Sequence, residues 1–367
     1  MRAPWIALIF GAWWVGVLRP GPMPVGFTSV MLTDATRAIQ GRPRHVQLAV
    51  WYPAAASARP PMTYAGYIGL AGVETTDAPS DVLEKHAVDS VRAFLRSVGV
   101  PDSVVTQWFS SPVLGVRDAP RAVGTFPLVL VAQGNGETAA DQSVLCEYLA
   151  SYGYVVATSP SQSRLTGQPD EESAVGRAAE DQTDDLALLR ARVSKEWAVA
   201  GTAIVGHSFG ARSALLLAMR DSSVRAIVSL DGGIGTATAR ASLQSAPSFR
   251  RDVKVSILHF YEDLDRFMIP DWGMLTSLQG ARVWIASTSD LHHHHFSDIG
   301  AASGRFPPIA AATRATGATG GSYAAVLERT RNFLDGIVRG DTAASTKSVR
   351  DSGQVHVRQL NAPSNQN

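Results

Sequence analysis

Chemistry in this chain is concentrated at three places. A serine stands between two glycines in Gly206-His207-Ser208-Phe209-Gly210. An aspartate, Asp231, follows an apolar run 23 residues later, and a histidine cluster occupies His292 to His295. A serine hydroxyl is a poor nucleophile at neutral pH. It needs a histidine to take its proton and a carboxylate to orient that histidine. Ser208, Asp231 and one of the four histidines are the residue types required for a nucleophilic attack of this kind.

The spacing around Ser208 says how the nucleophile is presented. Val199 to Val205 is a short apolar run rich in small and β-branched residues, as a buried parallel strand should be. Ala211 to Met219 is a helix-forming run. A G-x-S-x-G between a strand and a helix is the nucleophile elbow of the α/β-hydrolase pattern. The turn is so tight that the positions two before and two after the serine must nearly lack side chains, and they are Gly206 and Gly210. Ser208 then stands at a helix N-terminus, where the dipole favours a developing anion.

In that pattern the acid and the base follow the serine in chain order, each on a loop after a strand. Asp231, directly after Val224 to Leu230, is the first choice of acid; Glu262, Asp263 and Asp265, after the next strand, are the alternatives. The base must come from Leu291-His292-His293-His294-His295-Phe296-Ser297-Asp298. In an extended loop His293 and His295 would share one side, and His292 and His294 the other. No metal is expected, because the histidines have no Cys or carboxylate partner at ligand spacing, and no cofactor is implied.

The elements that must carry these residues alternate in type. Strands are expected at Val46–Val50, 127–132, 154–157, 199–205, 224–230, 253–260 and 281–286. Helices are expected at 143–151, 181–193, 211–219 and 323–338. Such alternation implies an α/β protein with a mostly parallel, doubly wound sheet. Residues 54–120 lack a parallel-strand signal and carry helices at about 80–98 and 102–109, so they read as a helical cap or lid insertion. Beyond Gly340 the chain turns polar, and 341–367 is expected to be a disordered tail.

Composition narrows the class. The 367 residues hold 33 Lys plus Arg against 32 Asp plus Glu, a net charge of +1, with no long basic run to suit nucleic acid. The single cysteine, Cys146, excludes an internal disulfide and reads as a small core residue. Trp5 to Leu18 is apolar and follows Arg2, which resembles the hydrophobic part of a signal peptide or an uncleaved anchor. Residues 1–20 are therefore expected to direct export or association with a membrane surface, and 21–340 to form the folded domain.

Several motifs add up to a resemblance. Gly-Pro-Met-Pro-Val-Gly-Phe at 21–27, Val-Trp-Tyr-Pro at 50–53, Gly-His-Ser-Phe-Gly at 206–210, Leu-Asp-Gly at 230–232 and His-x-x-Phe-Ser-Asp at 293–298 occur in one order. Together they resemble the platelet-activating-factor acetylhydrolase family, a dienelactone-hydrolase-like branch of the α/β-hydrolases. The resemblance implies Asp231 as the acid, His293 as the base, independence from metal, and hydrolysis of short acyl esters, in some members from phospholipids. It also implies two backbone donors for an oxyanion. One is the Phe209 N–H; the other, by position after the strand ending Val131-Ala132, is the Asn135 N–H. Similar proteins carry His-Gly in that loop, whereas this chain has Gln133-Gly134-Asn135-Gly136, which puts the anchoring of the loop in question. The expected partner is a small-molecule ester. An acyltransferase using the same triad and a non-catalytic binding protein on the same fold are the alternatives.

Overall fold

A computed structural model describes residues 18–39, 41–76, 79–167 and 175–361. The apolar N-terminal segment, apart from Leu18, lies outside the described residues, as do 362–367 of the expected tail. Among the described residues no helix is long and apolar enough to cross a membrane.

The chain opens with a long hairpin, β1 (Val25–Ile39) and β2 (Arg42–Pro53), paired antiparallel. The insertion that follows is helical, as expected: α1 (Tyr64–Ile68), α2 (Asp81–Ser97) and α3 (Asp102–Phe109). The Ser80 hydroxyl caps α2 by accepting the Leu83 N–H at 3.3 Å. The insertion ends in a short strand not foreseen from its residues, β3 (Gly115–Arg117), which pairs parallel with β1. Three residues carry too little periodicity to announce a strand.

The parallel part consists of β4 (Phe126–Ala132), β5 (Val155–Ser159), β6 (Val199–His207), β7 (Val224–Leu230), β8 (Ser256–Glu262) and β9 (Arg282–Thr288). Between these strands run α4 (Ser143–Ser151), α5 (Gln162–Thr166), α6 (Val175–Glu196), α7 (Gly210–Arg220), α8 (Ala237–Gln244) and α9 (Gly273–Thr276). After β9 come α10 (Asp298–Arg305), α11 (Pro307–Ala312) and α12 (Thr319–Leu334). The ten-stranded sheet has the order β10-β9-β8-β7-β6-β4-β5-β2-β1-β3, where β10 is His356–Asn361.

Strands buried on both faces read as continuous apolar runs, and their side chains alternate between two cores. Leu128, Leu130, Ile204, Ile227 and Ile257 pack with α6 and α7 on one face. Val129, Val131, Val205, Val228 and Leu258 pack with α4, α12 and the cap helices on the other. The cap is anchored there by aromatic side chains: Trp51 and Tyr67 meet edge to face at 5.4 Å, and Tyr64 stacks on Trp108 at 5.1 Å. Cys146 is fully buried in α4, as its surroundings suggested.

The expectation of a disordered tail after Gly340 is corrected for 341–361. This stretch forms α13 (Thr342–Ser348) and β10, which pairs antiparallel with β9. Its polar side chains mislead, because the order comes from backbone bonds. Arg329, itself buried, donates to the carbonyls of Ser348 and Arg350 and to Ser352 Oγ, and Val355 is fully buried.

The chain runs from β4 outward to β5, then crosses back over β4 to β6. The reversal leaves a crevice beyond the carboxyl ends of β4 and β6, where sheets of this kind bind ligands. Gln133 and Ser208 follow those two strand ends directly.

Candidate active site

The serine sits at a forced turn. Ser208 has φ of +50°, a left-handed conformation that costs a non-glycine residue free energy and is held by its surroundings. Its N–H donates to Leu230 O at 3.1 Å and its carbonyl accepts from Gly233 N at 2.8 Å. The flanking glycines are required by space. A Cβ on Gly210 would lie 2.0 Å from Ala132 O, and one on Gly206 would lie 2.6 Å from Ala211 Cα. The sharpness inferred from the spacing is thus a contact between the elbow and its neighbouring strand end.

The three expected residues converge. His293 Nε2 is 2.9 Å from Ser208 Oγ, and His293 Nδ1 is 2.6 Å from Asp231 Oδ2. Asp231 is almost fully buried, and its second oxygen accepts the Glu262 N–H at 3.1 Å. The competing acids are engaged elsewhere. Glu262 accepts N–H bonds from Leu264, Asp265 and Phe267; Asp263 pairs with Arg266; Asp265 pairs with His292 and Arg314.

The histidine loop differs from the extended segment assumed from the sequence. His293–Phe296 is a 3-10 turn, so the rings do not alternate: those of His292, His294 and His295 pack together, and His293 turns away from them. His293 alone reaches Ser208. His295, grouped with it by the extended reading, is buried under the turn, where its Nδ1 accepts the His292 N–H at 3.1 Å. His294 Nε2 contacts Thr313 O at 3.1 Å, and the His292 and His294 rings stack at 5.8 Å. Burial first, and then its histidine neighbours, push His295 down to about 3. Among the described residues no group of three or more His, Cys, Asp or Glu side chains is arranged to hold a metal ion.

Gln133 resolves the question about the loop after β4. Its buried side-chain amide donates to Thr158 Oγ1 at 3.1 Å and to Ala139 O at 3.3 Å, and its backbone carbonyl accepts from Gln182 Nε2 at 2.9 Å. An amide thus anchors the loop at the position where the motif resemblance implies a histidine. Farther along, Ser163 Oγ on α5 donates to Asn135 Oδ1 at 2.7 Å and accepts the Gly136 N–H at 3.1 Å. Among the described residues the N–H groups of Phe209 and Asn135 have no protein acceptor, which leaves both free for a ligand oxygen.

Three features escaped the sequence reading. Phe267 lies over the His293 ring, centroids 4.6 Å apart, on a loop shaped by the Glu262 carboxylate. His207, read only as the variable position of the elbow, stacks on the other face of the site at 5.0 Å from His293. Glu137 bonds His207 Nδ1 at 2.6 Å. The only hint in the sequence was a carboxylate three residues beyond Gly134, in a loop otherwise made of small polar residues.

Residues 100–249 match the chlorophyllase family model. They include Asn135, Ser208, Phe209 and Asp231 and stop short of His293. Chlorophyllase type 0 of Chenopodium album is 26% identical over 166 residues, covering 42% of this chain and 48% of that protein. The match therefore spans about half the length of the curated relative. A ferulic acid esterase from Streptomyces cinnamoneus superposes with a TM-score of 0.67 at 22% identity, over 94% of this chain and 98% of that one. This chain has the α/β-hydrolase fold. The mixed sheet, the elbow after β6 and the crevice at the strand reversal are its defining parts.

Proposed function

We propose that the protein is a serine carboxylic-ester hydrolase working through an acyl-enzyme. The observation that carries the reading is the unbroken relay from Asp231 Oδ2 through His293 to Ser208 Oγ, with contacts of 2.6 and 2.9 Å. Ser208 attacks the acyl carbon while His293 Nε2 takes its proton. Asp231 keeps the His293 Nδ1–H in place and stabilises the imidazolium. The Phe209 and Asn135 N–H groups receive the oxyanion, a contribution worth roughly 3–4 kcal/mol for one such donor. His293 then returns the proton to the leaving alcohol, and water, activated by the same base, releases the acid. No step needs a metal or cofactor.

The ferulic acid esterase is an ester-cleaving enzyme by name, in line with this chemistry. The choice of short acyl groups, and the placement near platelet-activating-factor acetylhydrolases and dienelactone hydrolases, rest on the sequence motifs alone. A fluorophosphonate probe tests the nucleophile, since an activated serine attacks phosphorus. The wild type should be labelled and should cleave p-nitrophenyl acetate faster than the long-chain esters, while Ser208→Ala should do neither. Labelling that persists in Ser208→Ala would place the nucleophile elsewhere, and a preference for long chains would remove the short-acyl assignment.

A further inference from the structure

Glu137 stands where three parts of the site meet. One carboxylate oxygen accepts the N–H of Gly134, in the loop that carries Asn135. The other is 2.6 Å from His207 Nδ1, on the residue before Ser208. His207 Nε2 in turn lies 3.2 Å from the backbone carbonyl of His293. The fit is close, for a Cβ on Gly134 would lie 3.0 Å from Glu137 Oε2, from His207 Nδ1 and from Ser208 Cβ alike. Glu137 also accepts the Ser161 N–H through its own carbonyl at 3.0 Å, which fixes its backbone.

Both partners of the His207 ring, a carboxylate and a carbonyl, are acceptors. A neutral imidazole has one N–H and can serve only one of them; the imidazolium serves both. The geometry therefore specifies a charged His207 against a charged Glu137. Burial works against both charges. The Glu137 carboxylate nonetheless holds His207 above its ordinary value, and His207 with the Gly134 N–H holds Glu137 below its own. The other titratable groups facing this pair are Asp231 and His293 on the far loops, and Asp141, raised to about 6 by burial and by Glu137. Arg164 on α5 faces Asp141 from outside.

We propose that Glu137 and His207 form a positioning pair that holds the Asn135 loop and the His293 loop in register with Ser208. The inference rests on the serine-hydrolase reading above. The pair touches no reacting atom. It sets where the second oxyanion donor and the base stand, and displacement of either by about 1 Å can cost on the order of 10²-fold in rate.

The test uses the full chain, with kcat and KM for p-nitrophenyl acetate measured from weakly acidic to alkaline pH, and folding followed by circular dichroism and melting. Glu137→Ala should lower kcat by about 10²-fold with KM little changed. Glu137→Gln can rebuild the links without charge. Its carbonyl oxygen accepts from Gly134, its amide donates to His207 Nδ1, and the His207 Nε2–H remains for His293 O. It should recover most of kcat. The wild type should lose kcat on the alkaline side as His207 surrenders one N–H, and Glu137→Gln should lack that fall. If Glu137→Ala does not fold, the pH profile of Glu137→Gln decides alone. Wild-type kcat in Glu137→Ala, an alkaline fall unchanged in Glu137→Gln, or a glutamine variant as slow and as unstable as the alanine variant would each overturn the proposal. If Ser208 also escapes the fluorophosphonate, the hydrolase reading falls too; if Ser208 is labelled normally, only the positioning pair falls.

Discussion

Replacing Asp231 by asparagine exchanges one oxygen for an NH2 group, and the surroundings dictate which one. Oδ1 accepts the Glu262 N–H at 3.1 Å, so that position must remain an acceptor. The new NH2 then faces His293 Nδ1 at the 2.6 Å contact. A donor there forces the proton of the imidazole onto Nε2, where it points at Ser208 Oγ across 2.9 Å. A serine facing an N–H has no base. In another serine hydrolase this tautomer error costs about 10⁴-fold in kcat, which at 1.36 kcal/mol per decade is about 5.4 kcal/mol. One escape exists. If the amide flips, its carbonyl faces His293 and its NH2 faces the Glu262 N–H. That opposes two buried donors at a cost of about 1–3 kcal/mol, so at most about a sixth of the molecules would be competent, and as few as one in 10². The loss in kcat should therefore lie between about 6- and 10²-fold, short of the 10⁴-fold of a locked tautomer. It should fall toward the larger value because the site is almost fully buried. Steady-state kinetics on p-nitrophenyl acetate would read it, with KM nearly constant because orienting the base matters mainly in the transition state. The control is Asp263→Asn, which loses only a partly exposed pair with Arg266. Wild-type rates in Asp231→Asn, or a greater loss in Asp263→Asn, would refute this account of the acid.

Among single His→Ala variants of the loop, His293→Ala should lose on the order of 10⁴-fold in kcat, while His292→Ala and His294→Ala should stay within about tenfold of wild type. His295→Ala should lower the melting temperature more than kcat, because its ring fills a buried place under the turn. Four mildly impaired variants would mean that the base lies outside this loop. Gly210→Ala should destabilise the protein by at least about 1–3 kcal/mol in urea unfolding, since its Cβ would meet the Ala132 carbonyl oxygen at 2.0 Å and the atoms it meets are main chain, which cannot swing away. Burial lowers His259 from 6.5 to about 4, with Asp231 pulling the other way. The unfolded chain therefore binds more protons in that window, and the stability His259 contributes is present above about pH 6.5 and lost as pH falls toward 4, by roughly 3 kcal/mol in all. Buried Glu74 and Glu147, raised to about 7, act in the opposite sense, so the effect should be read as the difference between wild type and His259→Gln at each pH. Parallel curves for the two proteins would remove His259 from this role.

Much of the site was legible because its requirements are local. A tight turn demands glycine at 206 and 210, a nucleophile needs serine between them, and the order of strands and helices fixes where the acid and base must follow. The βα alternation from Phe126 onward is a matter of apolar runs and periodicity, and it was readable along most of the sheet. Tertiary structure decided what depends on partners distant in sequence. The motif resemblance pointed to His293, but what turns it and not His295 toward Ser208 is a 3-10 turn that a run of identical residues cannot announce. The exclusion of Glu262 from the relay came from three N–H groups that engage its carboxylate. Order in 341–361 came from an arginine on α12 and an open sheet edge, and the polar side chains of that segment carry no trace of either. The Glu137–His207 pair joins residues 70 positions apart, and it exists only because the ends of β4 and β6 lie side by side. Local sequence determines which residues can turn, pair and react, because sterics and hydrogen-bonding capacity belong to each residue. Which of several equivalent groups reacts is set by distances of a few tenths of an ångström, and those arise only when the whole sheet closes around them.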